Sequence, residues 1–164
     1  TGNIRPQLQK EFCLKNKLGS QEQELVEQMR SCASVAMYLP ASLKNKSEAV
    51  LAHYQHAVQY MCAHVDEPHV FIFGKNIFNL DSKICTVISF KERRHEAIDL
   101  ELLRHCRHHI VTESTLSWWG AWLSDYEDKI VIAPQKWSSN YVEEYPLPAT
   151  WVTLDKIDNT DVNC

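Results

Sequence analysis

The chain has 164 residues, 45% hydrophobic and 23% charged, with a formal net charge of −4, which suits one globular domain able to bury a core. The negative balance offers no long-range attraction to nucleic acid or to an anionic membrane, so no nucleic-acid partner is expected. No apolar run reaches the ~18 residues a membrane span needs, and Thr1-Gly2-Asn3-Ile4-Arg5 carries no signal-peptide core; the missing initiator methionine reads as an excerpt or a processed piece.

Residues 1–20 are polar and irregular and read as a segment outside the domain. Ser20 is expected to cap a helix from Gln21 to about Ser31, with Leu25, Val26 and Met29 on one face. Ser34 to Leu39 is a continuous apolar run closed by Pro40, the pattern of a buried strand. From Ser47 to about Val65 apolar residues at Val50, Tyr54, Ala57, Val58, Met61 and Val65 mark a helix. Asp66-Glu67-Pro68 ends it, and Val70 to Gly74 and Ile84 to Ile88 read as two further strands. After the charged loop Lys91-Glu92-Arg93-Arg94-His95-Glu96, Asp99 is expected to cap a helix from Leu100 to Arg107. A strand His109 to Thr112, a tryptophan-rich helix, a strand Ile130 to Ala133 and an edge strand Trp151 to Leu154 follow. The domain is expected over 21–157, with 158–164 a frayed tail.

Short all-apolar strands alternating with amphipathic helices predict an open, mainly parallel α/β sheet of Rossmann type, with helices on both faces. Ligands of such sheets sit outside the carboxyl ends of the strands. The loops Pro40 to Lys46, Gly74 to Asn76, Lys91 to Arg94 and Glu113 to Ser117 all belong to that edge.

The most informative stretch is Thr112-Glu113-Ser114-Thr115-Leu116-Ser117-Trp118-Trp119-Gly120-Ala121-Trp122-Leu123. Hydroxyls stand where a helix starts, with Ser114 or Thr115 as cap. Trp118, Trp119, Trp122 and Leu123 clamp the helix on an apolar surface, while Gly120 and Ala121 permit close backbone approach. A clamped helix N-terminus with free N–H groups and flanking hydroxyls suits an anion such as phosphate; an ordinary capped core helix has the same spacing.

Six cysteines, at 13, 32, 62, 85, 106 and 164, form no C-x-x-C pair. Cys62, Cys85 and Cys106 fall in apolar patterns and read as buried thiols of a reducing compartment, with a disulfide scaffold as the alternative.

The segment from Ser114 to Leu123, with Asp99-Leu100-Glu101-Leu102-Leu103 and Cys106-Arg107-His108 before it, resembles the α-1,2-fucosyltransferases of glycosyltransferase family 11. Lys10-Glu11-Phe12, His53-Tyr54, Ala57 to Met61, Phe71-Ile72-Phe73, Lys129 to Pro134 and Lys136-Trp137 match as well, in colinear order from about residue 10 to residue 154. The resemblance implies the donor-binding half of a two-domain, GT-B-like enzyme that moves fucose from GDP-fucose to a galactoside with inversion, without a metal or other cofactor. It implies that Ser114, Thr115 and Ser117 hold the departing diphosphate, stabilising charge that grows as the sugar-phosphate bond breaks. The partners it implies are a nucleotide sugar and a galactoside-type glycan acceptor, with an acceptor domain upstream of this chain. The implied location is cytoplasmic, or membrane-associated through a segment not present here.

The chain departs from that pattern. The family's His-x-Arg-Arg-x-Asp motif is replaced by Tyr38-Leu39-Pro40-Ala41-Ser42-Leu43, and losing one such preorganised donor costs about a hundred- to a thousandfold in rate. Gly74-Lys75-Asn76 stands where the family has Ser-Asp-Asp, leaving Gly74 and the Asn76 amide as the nucleotide contacts, and Glu113 replaces an Asn. Arg93 and Arg94 are candidates to restore the lost positive charge, or belong to a solvated loop. These departures open a second reading, a non-catalytic remnant that keeps a nucleotide or glycan contact.

His105, Cys106, His108 and His109 lack a second pair at zinc-finger spacing and read as basic groups closing a helix. Asp125, Asp128, Glu143 and Glu144 read as surface charges. Trp118, Trp119 and Trp122 are expected in the core, and Trp137 to be the exposed one.

Overall fold

The computed structural model describes residues 18–41, 43, 48–89, 96–134 and 147–153. Arg93, Arg94, Trp137, Glu143, Glu144 and both terminal segments lie outside the described residues. The elements run α1 (Ser20–Ser31), β1 (Ala33–Tyr38), α2 (Glu48–His64), β2 (Pro68–Phe73), β3 (Cys85–Ile88), α3 (Glu96–Arg104), β4 (His108–Ile110), α4 (Thr115–Leu123), β5 (Val131–Ala133) and β6 (Val152–Thr153). All five strand pairings are parallel, in the order β3-β2-β1-β4-β5-β6. The expected Rossmann-like α/β sheet is therefore present.

Alternation along the strands separates two cores. Val35 and Met37 of β1, Val70 and Ile72 of β2, Ile110 of β4 and Ile132 of β5 face α2, whose Tyr54, Ala57, Val58 and Met61 bury the stripe read from the sequence. Ala36, Phe71, Phe73 and Ile88 point to the other face, against Met29 of α1 and Leu102 and Leu103 of α3. Burying side chains of this size contributes about 1.5–3 kcal/mol each. Helix α4 covers Val111, Val131 and Ala133 on that same face. Its approach to α3 requires Gly120: a Cβ there would lie 2.7 Å from the Cβ of Leu103.

Local differences from the sequence reading have physical causes. Gly19, extended at φ −70° and ψ 175°, is the N-cap of α1, and Ser20 is its first helical residue. The Glu22 carboxylate occupies the space a Cβ on Gly19 would need, at 2.6 Å. Helix α3 starts at Glu96, so Asp99 sits inside its first turn rather than capping it. Residues 99–104 are all buried, because this part of α3 packs against α1, α4 and the sheet, while its start at Glu96 is exposed. His108 and His109 belong to β4, leaving only His105 just beyond the helix.

Cys62 is disulfide-bonded, which corrects its reading as a buried thiol and removes its support for a reducing compartment. Cys32, Cys85 and Cys106 are free. Trp119 is 42% exposed, against the expectation that it lies in the core. Trp118 and Trp122 stack with centroids 6.3 Å apart, and Trp118 lies 5.5 Å from Trp151. No helix among the described residues is long and apolar enough to cross a membrane.

Candidate functional site

In a parallel sheet of order 3-2-1-4-5-6 the chain departs in opposite directions after β1 and after β4, so a crevice opens between their carboxyl ends. Here that crevice lies between Tyr38-Leu39-Pro40 and Thr112-Glu113-Ser114. Their strands are paired through Val35 with His108 and Met37 with Ile110. The loops expected to converge do so where they are described: Leu39 N–H donates to Phe73 O at 2.8 Å and Gly74 N–H to Ile88 O at 3.0 Å, aligning the ends of β1, β2 and β3. The ends of β2 and β4 flank β1 at a separation of about 10 Å.

The turn into α4 forms the floor. Ser114 is the N-cap with φ −146° and ψ 130°, and its side chain makes no capping hydrogen bond. Its N–H donates to Thr112 O at 2.7 Å, and its carbonyl accepts the Trp118 N–H at 3.2 Å. The N–H groups of Thr115, Leu116 and Ser117 are the first-turn donors, which have no intrahelical carbonyl. Among the described residues no acceptor meets them. Thr115 is exposed and Ser114 partly so. The Ser117 hydroxyl instead faces inward, 4% exposed, its oxygen accepting the Thr112 N–H at 3.2 Å.

Thr112 was not singled out by sequence reasoning. It is fully buried, and its hydroxyl donates to Tyr38 O at 2.5 Å, closing the crevice floor between β1 and β4. A threonine directly after the apolar pair Ile110-Val111 was the available signal, since a hydroxyl there needs a partner. From α2, buried Tyr54 reaches the same turn. Burial pushes its phenol well up, the Glu113 carboxylate adds to this, and a hydrogen bond with the Glu113 backbone works against it. Glu113 thus places negative charge beside Tyr54 at the turn into α4.

Gly74 is buried at the end of β2 with φ 136°, a conformation that requires glycine. Asn76 follows on the same rim. Its amide nitrogen donates to Leu80 O at 2.8 Å, and its oxygen accepts the Leu80 N–H at 2.9 Å, so the side chain brackets its own loop.

His105, His108 and His109 each make local hydrogen bonds. His105 faces Glu101 with Nε2 at 3.1 Å and receives Arg30 at Nδ1. His108 Nδ1 accepts the Ile130 N–H at 2.9 Å, and His109 Nε2 lies 3.0 Å from Cys106 O. No cluster of three metal-ligating side chains occurs among the described residues.

A Rossmann-like sheet whose switch-point crevice ends on a helix N-terminus suits a phosphate-bearing ligand. The pattern of glycosyl transferase family 11 matches residues 51–154, and the chain belongs to that family. It is 30% identical over 107 residues to the O-antigen biosynthesis glycosyltransferase WbnK of Escherichia coli, a match covering 62% of this chain and 35% of that protein. It is 37% identical over 73 residues to an alpha-1,2-colitosyltransferase of Escherichia coli, covering 42% of this chain and 24% of that protein. The chain thus spans about a third or less of these relatives. No solved structure matches.

Proposed function

We propose that this chain supplies the nucleotide-sugar side of a fucosyltransferase, holding GDP-fucose while fucose passes, with inversion and without a metal, to a galactoside acceptor bound elsewhere. The observation that carries the proposal is that, among the described residues, the N–H groups of Thr115, Leu116 and Ser117 and the Ser114 hydroxyl meet no protein partner. As the sugar-phosphate bond breaks, the leaving diphosphate gains charge, and donors already aimed at it lower the barrier. Ser117 contributes its amide in this arrangement. Gly74 and Asn76 lie toward the nucleotide, and Arg93 and Arg94 are proposed to supply positive charge in place of the lost arginine motif.

The second reading is a non-catalytic remnant, favoured by Tyr38 to Leu43 standing where the arginines belong and by the Glu113 carboxylate at the turn. Calorimetric titration with GDP and with GDP-fucose, using Ser114→Ala as control, separates the two. The transferase reading expects heat from both ligands, weakened about tenfold or more in the variant, and fucosylated product from a lactose-type acceptor once the acceptor-binding part is supplied. Binding without product identifies the remnant. Heat from neither ligand removes the donor site.

A further inference from the structure

Ser117 has the side chain of a phosphate donor and the position of a buried brace. Its hydroxyl oxygen receives the Thr112 N–H, the Thr112 hydroxyl donates to Tyr38 O, and the Thr112 carbonyl receives the Ser114 N–H. On the far side, Val111 N–H donates to Ile132 O at 2.7 Å. One buried threonine therefore joins the last residue of β1, the N-cap of α4 and the third residue of that helix, while its predecessor is held to β5.

We propose that Thr112 and Ser117 form a single positioning relay that fixes the direction of the α4 first-turn amides over the β1–β4 crevice. Ser117 acts through Thr112 rather than by touching the ligand with its hydroxyl. The inference rests on the donor-site reading above and deepens it. A strand-to-helix turn has two soft dihedrals per residue, and amides that must reorganise before meeting an anion lose much of the benefit of being there. Hydroxyl bonds from both sides of the turn remove that freedom before any ligand arrives.

The test is a double-mutant cycle on the whole chain: Thr112→Val, which keeps the shape and removes the hydroxyl, Ser117→Ala, and both together. GDP affinity is read by calorimetry well below every unfolding midpoint. A shared relay predicts that each single change weakens GDP about tenfold and that the double change costs about the same tenfold, with Thr112→Ser restoring the wild-type value. Losses that multiply to about a hundredfold mean independent contacts and overturn the relay.

A second readout needs no ligand. The amide proton and nitrogen resonances of Thr115, Leu116 and residue 117 should shift together in Thr112→Val and in Ser117→Ala, and stay in place in Thr112→Ser. Should Thr112→Val fail to fold, Ser117→Ala decides through the same resonances. Unmoved amides in the single variants overturn the relay. Amides that move in a protein that takes up no GDP uphold the relay and remove the donor-site reading instead.

Discussion

The two rims of the sheet treat their polar groups differently. At the amino rim most of them are joined to one another, the buried Arg107 Nε being an exception. Arg30 meets His105, His105 meets Glu101, and Glu101 meets Arg104. Ser34 receives the Arg107 N–H and Ser124 donates to Cys106 O. Lys129 donates to Ala121 O at 2.8 Å and Ser124 O at 2.9 Å, placing a cation on the C-terminal carbonyls of α4. At the carboxyl rim the same helix leaves its first-turn amides and its N-cap hydroxyl without protein acceptors among the described residues. The fold completes one end of α4, while the other keeps its donors open among the described residues, where the proposed donor site lies.

The largest test of this division is at the closed rim. Glu101 and Arg104 are 5% and 7% exposed and joined by two hydrogen bonds, that from Nε at 2.7 Å. Replacing Glu101 with Ala withdraws the carboxylate from a buried guanidinium, and a loss of about 3–5 kcal/mol is expected in chemical denaturation. A loss under about 1 kcal/mol would mean that the closed rim is not what holds the fold.

Acid provides the next test. Burial, with Lys129 nearby, holds the imidazole of His109 down to about 3, and burial lowers His108 as well. Because the folded His109 resists protonation that the unfolded chain accepts from about pH 6.5 downward, stability should fall with pH between about 6.5 and 3, by up to about 1.4 kcal/mol per unit. Burial raises the Glu101 carboxyl, but hydrogen bonds from His105 and Arg104 and the charge of Arg104 outweigh it and hold the group at about 2. Its contribution is present above about 4.5 and disappears as pH falls toward 2. His109→Gln should flatten the slope between pH 6.5 and 4.5; an unchanged slope would assign acid sensitivity elsewhere.

What was legible in the sequence follows from which groups act alone. The apolar strands and the α2 stripe are one-dimensional patterns, so the sheet and its parallel sense could be read directly. The hydroxyls of 114–117 were visible as a helix start, but nothing in their order says that Ser117 turns inward. That depends on Thr112, whose own partner is Tyr38, 74 positions away. The start of α3 was misplaced because Asp99, a residue type favoured at an N-cap, stands buried inside the first turn of a helix that begins at Glu96. Trp119 looked like core because its spacing matches that of Trp118 and Trp122; only the placement of Trp151 beside Trp118 decides which ring faces water.

The finest test uses one substitution at the two ends of one helix. Ser124, the C-cap of α4, is fully buried and donates to Cys106 O at 3.1 Å, so Ser124→Ala should cost about 0.5–1.5 kcal/mol. Ser114, the N-cap, would ordinarily cost about 1 kcal/mol on the same change because its side chain closes the helix. Here that bond is absent, and Ser114→Ala should alter stability by less than about 0.5 kcal/mol. A serine at an N-cap that makes no bond to its own helix leaves its hydroxyl open among the described residues, which is the distinction between the rims reduced to one atom. Equal losses from the two variants in denaturant titration would erase the distinction, and with it the reason to regard the carboxyl rim of α4 as open.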